Sequence, residues 1–220
     1  MVLMEGGTVM KDIRHFIWDF DGTLFDTYPV IIRSMTSALA EYGRDCDPRD
    51  CMELMLDSIG VALDRYSARF GIPREELTAV FDGHKAAALK ELEARPMEGA
   101  RDALTAIVKK GGKNYIFSHR RTGEIRLFLE KYGLTALFED ILGPDSEGFA
   151  WKPAPDGILR LMERHGMDRE DTVMIGDRDC DLGSARNAGI RTAHLICPAV
   201  PQTLDCHWKL KDLRQMLEMM

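Results

Sequence analysis

Asp19 and Asp21 stand two residues apart, directly after the apolar run Phe16-Ile17-Trp18. Side chains at i and i+2 of extended backbone project to the same side, so the two carboxylates converge where that run ends. Trp18 alternates away from them and is expected to pack. A plainer reading competes, because Asp and Gly favour turns through local hydrogen bonds and Asp21-Gly22 fits one. A longer pattern decides between the two.

The string Asp19-Phe20-Asp21-Gly22-Thr23-Leu24 after an apolar strand resembles the first motif of the haloacid dehalogenase-like phosphatases. Three further motifs of that family follow in order. Ser118 closes the apolar run Tyr115-Ile116-Phe117, Lys152-Pro153 comes next, and Gly176-Asp177-Arg178-Asp179-Cys180-Asp181 follows Thr172 to Ile175. The match spans nearly the whole chain.

The resemblance implies a nucleophilic Asp19 that is transiently phosphorylated, with Asp21 protonating the leaving oxygen and then activating water. The chemistry is coherent. A carboxylate near its ordinary pKa of about 3.9 is ionised at neutral pH and attacks phosphorus without a base. Mg²⁺ is a hard cation satisfied by a few oxygen ligands plus water. The family pattern implies as its ligands the Asp19 carboxylate, the Asp21 carbonyl and the Asp177 carboxylate. Asp181, four residues past Asp177, shares its face if a helix begins there, and serves as a ligand or as support for one. Asp179 is read as a surface residue. Ser118 is expected to donate to a phosphate oxygen and Lys152 to offset charge on the phosphoryl group and Asp19. His119 and Arg120, beside Ser118, read either as solvated loop or as substrate contacts.

The elements that must position these groups read as α/β. Phe16 to Trp18, Asn114 to Phe117, Ile141-Leu142, Thr172 to Ile175 and Thr192 to Ile196 are short apolar segments separated mostly by helical patterns, which predicts a doubly wound parallel sheet. Leu24 to about Pro96 shows no convincing strand. Ile31, Met35, Ala38, Leu39 and Tyr42 share one helical face, and Ile59, Leu63, Tyr66 and Phe70 another. Pro29 and Gly43 bracket the first helix, Asp47-Pro48 opens a second, and Pro73 opens one running toward Ala94. Residues 1–24 and 96–220 are therefore assigned to a Rossmann-like core, and 25–95 to an inserted helical cap. His84 is read as a packed histidine on an apolar face. Gly111-Gly112-Lys113 lacks the upstream glycine of a phosphate loop and reads as a helix-terminating turn.

Ser118 lies 97 positions after Asp21, whereas Lys152 follows Ser118 by only 34. In the resembling subgroups, phosphoglycolate phosphatase-like and β-phosphoglucomutase-like, a helical cap in the first interval closes over a small substrate. Arg65 and Lys85 are candidates there for holding a second anionic group. The resemblance implies hydrolysis of a small phosphorylated metabolite. Phosphoryl transfer of the mutase kind is the alternative, and a non-catalytic phosphate-binding or protein-interaction module the alternative of another class. Dehalogenases and phosphonate hydrolases are disfavoured by the acid at Asp21.

Composition bounds the partners. The 220 residues carry a net charge of −7, the wrong sign for holding a nucleic-acid backbone. An anionic substrate must therefore be met by local cations or a metal. Five cysteines without Cys-x-x-Cys spacing suggest neither a disulfide framework nor a zinc site, so a reduced cytoplasmic setting is the simplest. The opening residues, with Glu5 and Gly6-Gly7, do not read as a signal peptide, and no segment reads as membrane-spanning. Oligomeric state is not legible.

Overall fold

A computed structural model of the chain describes residues 10, 12–91, 93–147 and 149–220. The opening segment around Glu5 and Gly6-Gly7 lies outside the described residues. The chain divides into two compact units, one holding the residues up to Phe25 with Pro96–Cys197 and Pro201–Met220, the other Asp26–Arg95 with Pro198–Val200.

The first unit starts from strand β1, His15–Trp18, whose Phe16, Ile17 and Trp18 are at most 1% exposed. A strand apolar on both faces must lie inside a sheet covered on both sides. Among the described residues, in chain order, β2 is Phe25–Asp26, helices α1 to α4 are Tyr28–Ala40, Pro48–Asp57, Ile59–Phe70 and Arg74–Glu91, and β3 is Arg95–Pro96. Next come α5 Ala100–Lys109, β4 Lys113–Phe117, α6 Thr122–Lys131, β5 Phe138–Leu142 and α7 Asp156–His165. The chain closes with β6 Thr172–Gly176, α8 Asp179–Ala188, β7 Arg191–Leu195, β8 Trp208–Leu210 and α9 Gln215–Met219.

Six strands form one sheet in the order β5-β4-β1-β6-β7-β8, parallel at each pairing. The chain builds outward from β1 through β4 to β5, then returns to the other side of β1 with β6. That reversal makes β1 the topological switch point, where open α/β sheets bind ligands beyond their carboxyl ends. Ile17, Tyr115, Phe117, Leu142 and Met174 share a buried cluster with Ile158 and Leu161 of α7 and Ala185 of α8. Each fully buried aliphatic or aromatic side chain of this kind contributes about 1.5–3 kcal/mol. Trp18 packs as expected, and its indole Nε1 donates to Asn114 Oδ1 at 3.0 Å.

In the second unit, Ile31, Met35, Leu39, Leu63, Tyr66, Leu77 and Phe81 form one buried cluster. Its helices begin and end on local signals. Asp47 accepts from Arg49 N at 2.8 Å to open α2, Ser58 accepts from Val61 N at 3.0 Å to open α3, and Gly71 closes α3 at φ 67°.

Several sequence expectations need correction. The interval read as strand-free contains Phe25–Asp26 and Arg95–Pro96, which pair as a two-stranded ribbon. Strands of two residues are too short to show periodicity. Likewise β8 was missed, because Trp208-Lys209-Leu210 offers a single alternation. His84 is not packed away: its side chain is 34% exposed and its Nε2 sits 2.7 Å from Glu41 Oε1. Arg65 is exposed and Lys85 half-buried. Among the described residues no helix is long and apolar enough to cross a membrane.

Candidate active site

Three neighbouring strands deliver their following residues to one place. β1 runs into Asp19, β4 into Ser118 and β6 into Asp177. The ladder continues one residue beyond two of these strands, with Asp19 N donating to Ile175 O at 2.9 Å and Ser118 N to Leu142 O at 3.1 Å. Asp19 and Ser118 are thereby set by backbone hydrogen bonds rather than by loop geometry.

Lys152, on the loop before α7, reaches into the same place. Its Nζ donates to Asp19 Oδ1 at 2.6 Å and to Asp181 Oδ1 at 2.5 Å, with all three side chains at most 1% exposed. Burial by itself would weaken the ammonium's hold on its proton, but the Asp181 and Asp19 carboxylates more than offset this, so Lys152 stays charged. The two acids respond in opposite directions. Burial pushes Asp19 up against the pull of Lys152, whereas burial of Asp181 is outweighed by Lys152 and then Arg178, which hold it low. Asp181 is therefore the more firmly ionised partner of Lys152.

Asp181 sits in the first turn of α8, where its Oδ2 also accepts from Arg178 N at 3.1 Å. A carboxylate there also meets the positive end of the helix. Asp177 Oδ1 accepts from Thr23 Oγ1 at 3.0 Å, so the first and fourth motifs are tied directly. Within its motif, Thr23 carries no signal of this contact, because its partner lies 154 residues away.

The all-oxygen donor set fits a hard divalent cation. One carboxylate oxygen from each of Asp19, Asp177 and Asp181 lies within 4.8 Å of the others, and all three residues are buried. Asp19 Oδ2 is buried with no hydrogen-bond partner among the described residues. A buried carboxylate oxygen without a donor costs free energy that a bound cation removes.

Asp19 and Asp21 take different cations. Arg120 Nε donates to Asp21 Oδ1 at 3.0 Å and Oδ2 at 3.3 Å, and Nη2 to Oδ1 at 2.8 Å. Arg120 Nη1 meets Glu124 Oε2 at 2.7 Å, and the Arg120 amide donates to Ser118 Oγ at 3.2 Å. Arg120 is therefore neither solvated loop nor a cation open to solvent, since its side chain is 8% exposed. His119 is not solvated either. Its Nε2 accepts from Lys152 N at 2.8 Å, and its ring lies 4.6 Å from that of Trp151. Burial, then the Lys152 charge, pushes its pKa down to about 3.

Asp179, read as a surface residue, is partly exposed and also acts as an anchor. It accepts from Thr203 N at 2.9 Å, from Leu204 N at 3.2 Å and from Thr203 Oγ1, pinning the loop after β7 to the start of α8. Its partners lie more than twenty residues away, so no local signal marks it.

A doubly wound parallel sheet thus gathers three buried acids and one lysine at its switch point, the site of an enzyme of the α/β class. The family model for haloacid dehalogenase-like hydrolases matches residues 16–195, and the chain belongs to that family. It is similar to Pyrophosphatase PpaX of Halalkalibacterium halodurans, 29% identical over 188 residues that cover 83% of each chain. It is also similar to a phosphoglycolate phosphatase of Aquifex aeolicus, 27% identical over 185 residues, covering 82% of this chain and 84% of that one. The crystal structure of a predicted phosphoglycolate phosphatase from Haemophilus somnus shares the fold, with a TM-score of 0.80 at 20% identity over 94% of this chain and 98% of the other.

Proposed function

We propose that the chain is a Mg²⁺-dependent phosphatase that hydrolyses a small phosphorylated metabolite through an aspartyl phosphate on Asp19. The observation that carries this reading is the buried Asp19 carboxylate at the end of β1, with one oxygen on Lys152 and the other unpartnered. An Asp19 oxygen forms a bond to phosphorus while the ester P–O bond breaks, and the leaving oxygen takes a proton from Asp21. Water then adds to phosphorus and gives its proton to Asp21, releasing inorganic phosphate and restoring Asp19. Ser118 donates to a phosphoryl oxygen, and Lys152 neutralises charge on Asp19 and the phosphoryl group.

Asp19 and Asp177, with the backbone carbonyl of Asp21, would hold Mg²⁺. Both Asp181 oxygens are already engaged, by Lys152 and by the Arg178 amide, which supports a role in fixing Lys152 rather than direct ligation. Bound there, the cation would supply charge neutralisation for the transferring phosphoryl group. Insertion of the helical unit between Asp21 and Ser118 supports assigning substrate selection to it. A cytoplasmic setting accompanies this reading.

The test is Asp19→Asn, assayed on p-nitrophenyl phosphate and on a panel of phosphorylated metabolites with Mg²⁺. Phosphoglycolate and pyrophosphate, named by the relatives, come first on the panel. An amide is a poor nucleophile toward phosphorus, so turnover should fall to background while the variant remains folded in a thermal melt. Wild-type rates in the variant would overturn the mechanism.

A further inference from the structure

We propose that Arg120 is a positioning residue that fixes the Asp21 carboxylate for proton exchange with the leaving oxygen. The inference rests on the reading of Asp21 as the group that protonates the leaving oxygen. Three observations carry it.

The first is the fork itself. Arg120 loads Asp21 Oδ1 with two donors, at 2.8 and 3.0 Å, and Oδ2 with a single longer one at 3.3 Å. A planar guanidinium gripping a carboxylate in this way sets its plane as well as its position, which a point charge does not. The uneven loading leaves Oδ2 the oxygen whose engagement with Arg120 is weaker.

The second is that Arg120 is held as firmly as what it holds. Glu124 Oε2 takes Nη1 at 2.7 Å from one turn along α6, and the rings of Phe20 and Phe128 lie 5.7 and 5.8 Å from the guanidinium carbon. A side chain packed against two neighbouring rings and bound at its tip has little room to adapt to its partner. It acts as a template.

The third is linkage to the phosphoryl pocket. The Arg120 amide donates to Ser118 Oγ at 3.2 Å, so one residue touches both the acid and the expected phosphate donor. Asp21 lies beside Gly22, at φ 79°, in a turn. An Asp side chain in a turn samples several staggered wells unless something selects one. Small misplacements of a reacting group are costly, on the order of 100-fold for about 1 Å.

The experiment compares kcat/KM for phenyl phosphate and p-nitrophenyl phosphate, two esters of similar size whose leaving phenolates differ in basicity. This parameter reports the steps through release of the phenolate, where protonation matters more for the more basic leaving group. In Arg120→Gln the ratio of phenyl to p-nitrophenyl kcat/KM should fall about 10-fold or more, within the range general acid catalysis contributes. Arg120→Lys keeps the charge without the fork and should also lower the ratio. Loss of folded enzyme scales both substrates equally and leaves the ratio unchanged, and thermal melts measure that loss separately. A wild-type ratio in Arg120→Gln overturns the positioning role, as does full restoration of the ratio by lysine. Asp21→Asn is the control: if it leaves the ratio unchanged, the reading of Asp21 itself fails, whereas a shift in Asp21→Asn without one in Arg120→Gln defeats only the inference about Arg120.

Discussion

A Cβ placed on Gly176 would stand 2.3 Å from the Cβ of Asp181 and 2.5 Å from its Oδ2. The last residue of β6 must lack a side chain for the first turn of α8 to tuck its acid beneath the strand end. Gly176→Ala would push Asp181 away from Lys152, and overpacking of a buried site costs about 1–3 kcal/mol. We expect a lowered urea midpoint together with lost phosphatase activity. An alanine variant as stable and active as the parent would show that α8 shifts freely.

Lys152 is the buried ammonium between two buried carboxylates, so Lys152→Met leaves Asp19 and Asp181 repelling each other with no cation between them. Breaking a buried ion pair by removing one partner costs about 3–5 kcal/mol. Denaturant unfolding should show a loss of that order. Adding Asp181→Asn should recover part of it, because the two groups share one interaction and their effects are not additive. Strict additivity in the double variant would argue that the contact carries little energy.

Mg²⁺ should stabilise the fold as well as support turnover. A ligand that binds only the folded state adds about 2.7 kcal/mol at a concentration 100 times its Kd. Differential scanning fluorimetry should show a rise in melting temperature with Mg²⁺, reversed by EDTA without unfolding at room temperature, and abolished in Asp177→Asn. An unchanged shift in Asp177→Asn would remove Asp177 from the ligand set.

His119 gives a pH signature whose sign follows from its lowered pKa. The folded protein holds the imidazole neutral down to about pH 3, whereas the unfolded chain binds its proton near 6.5, the ordinary histidine value. Between those values the unfolded state binds more protons, so the His119 contribution is fully present above about pH 6.5 and is lost as pH falls. The melting-temperature difference between wild type and His119→Gln should therefore shrink steadily below that pH. A difference independent of pH would mean that the imidazole titrates alike in both states.

The sequence by itself determined most strands of the sheet and the motif residues, because each depends on local pattern. An apolar run ending in Asp19-Phe20-Asp21-Gly22 marks a buried strand and its turn wherever the rest of the chain lies, and the helix start at Asp47-Pro48 is equally local. What only the tertiary structure decided is which charge meets which. Lys152, expected from its motif to meet Asp19, also holds Asp181, and Arg120 reaches Asp21 across 99 residues. Nothing in the spacing of Arg120 and Asp21 distinguishes a solvated cation from a buried clamp. The same limit hid the anchoring role of Asp179 and the amide-accepting nitrogen of His119. A side chain's partners across the sheet are set by strand order and loop closure, which fix burial and therefore charge state, and neither leaves a trace in the neighbouring residues.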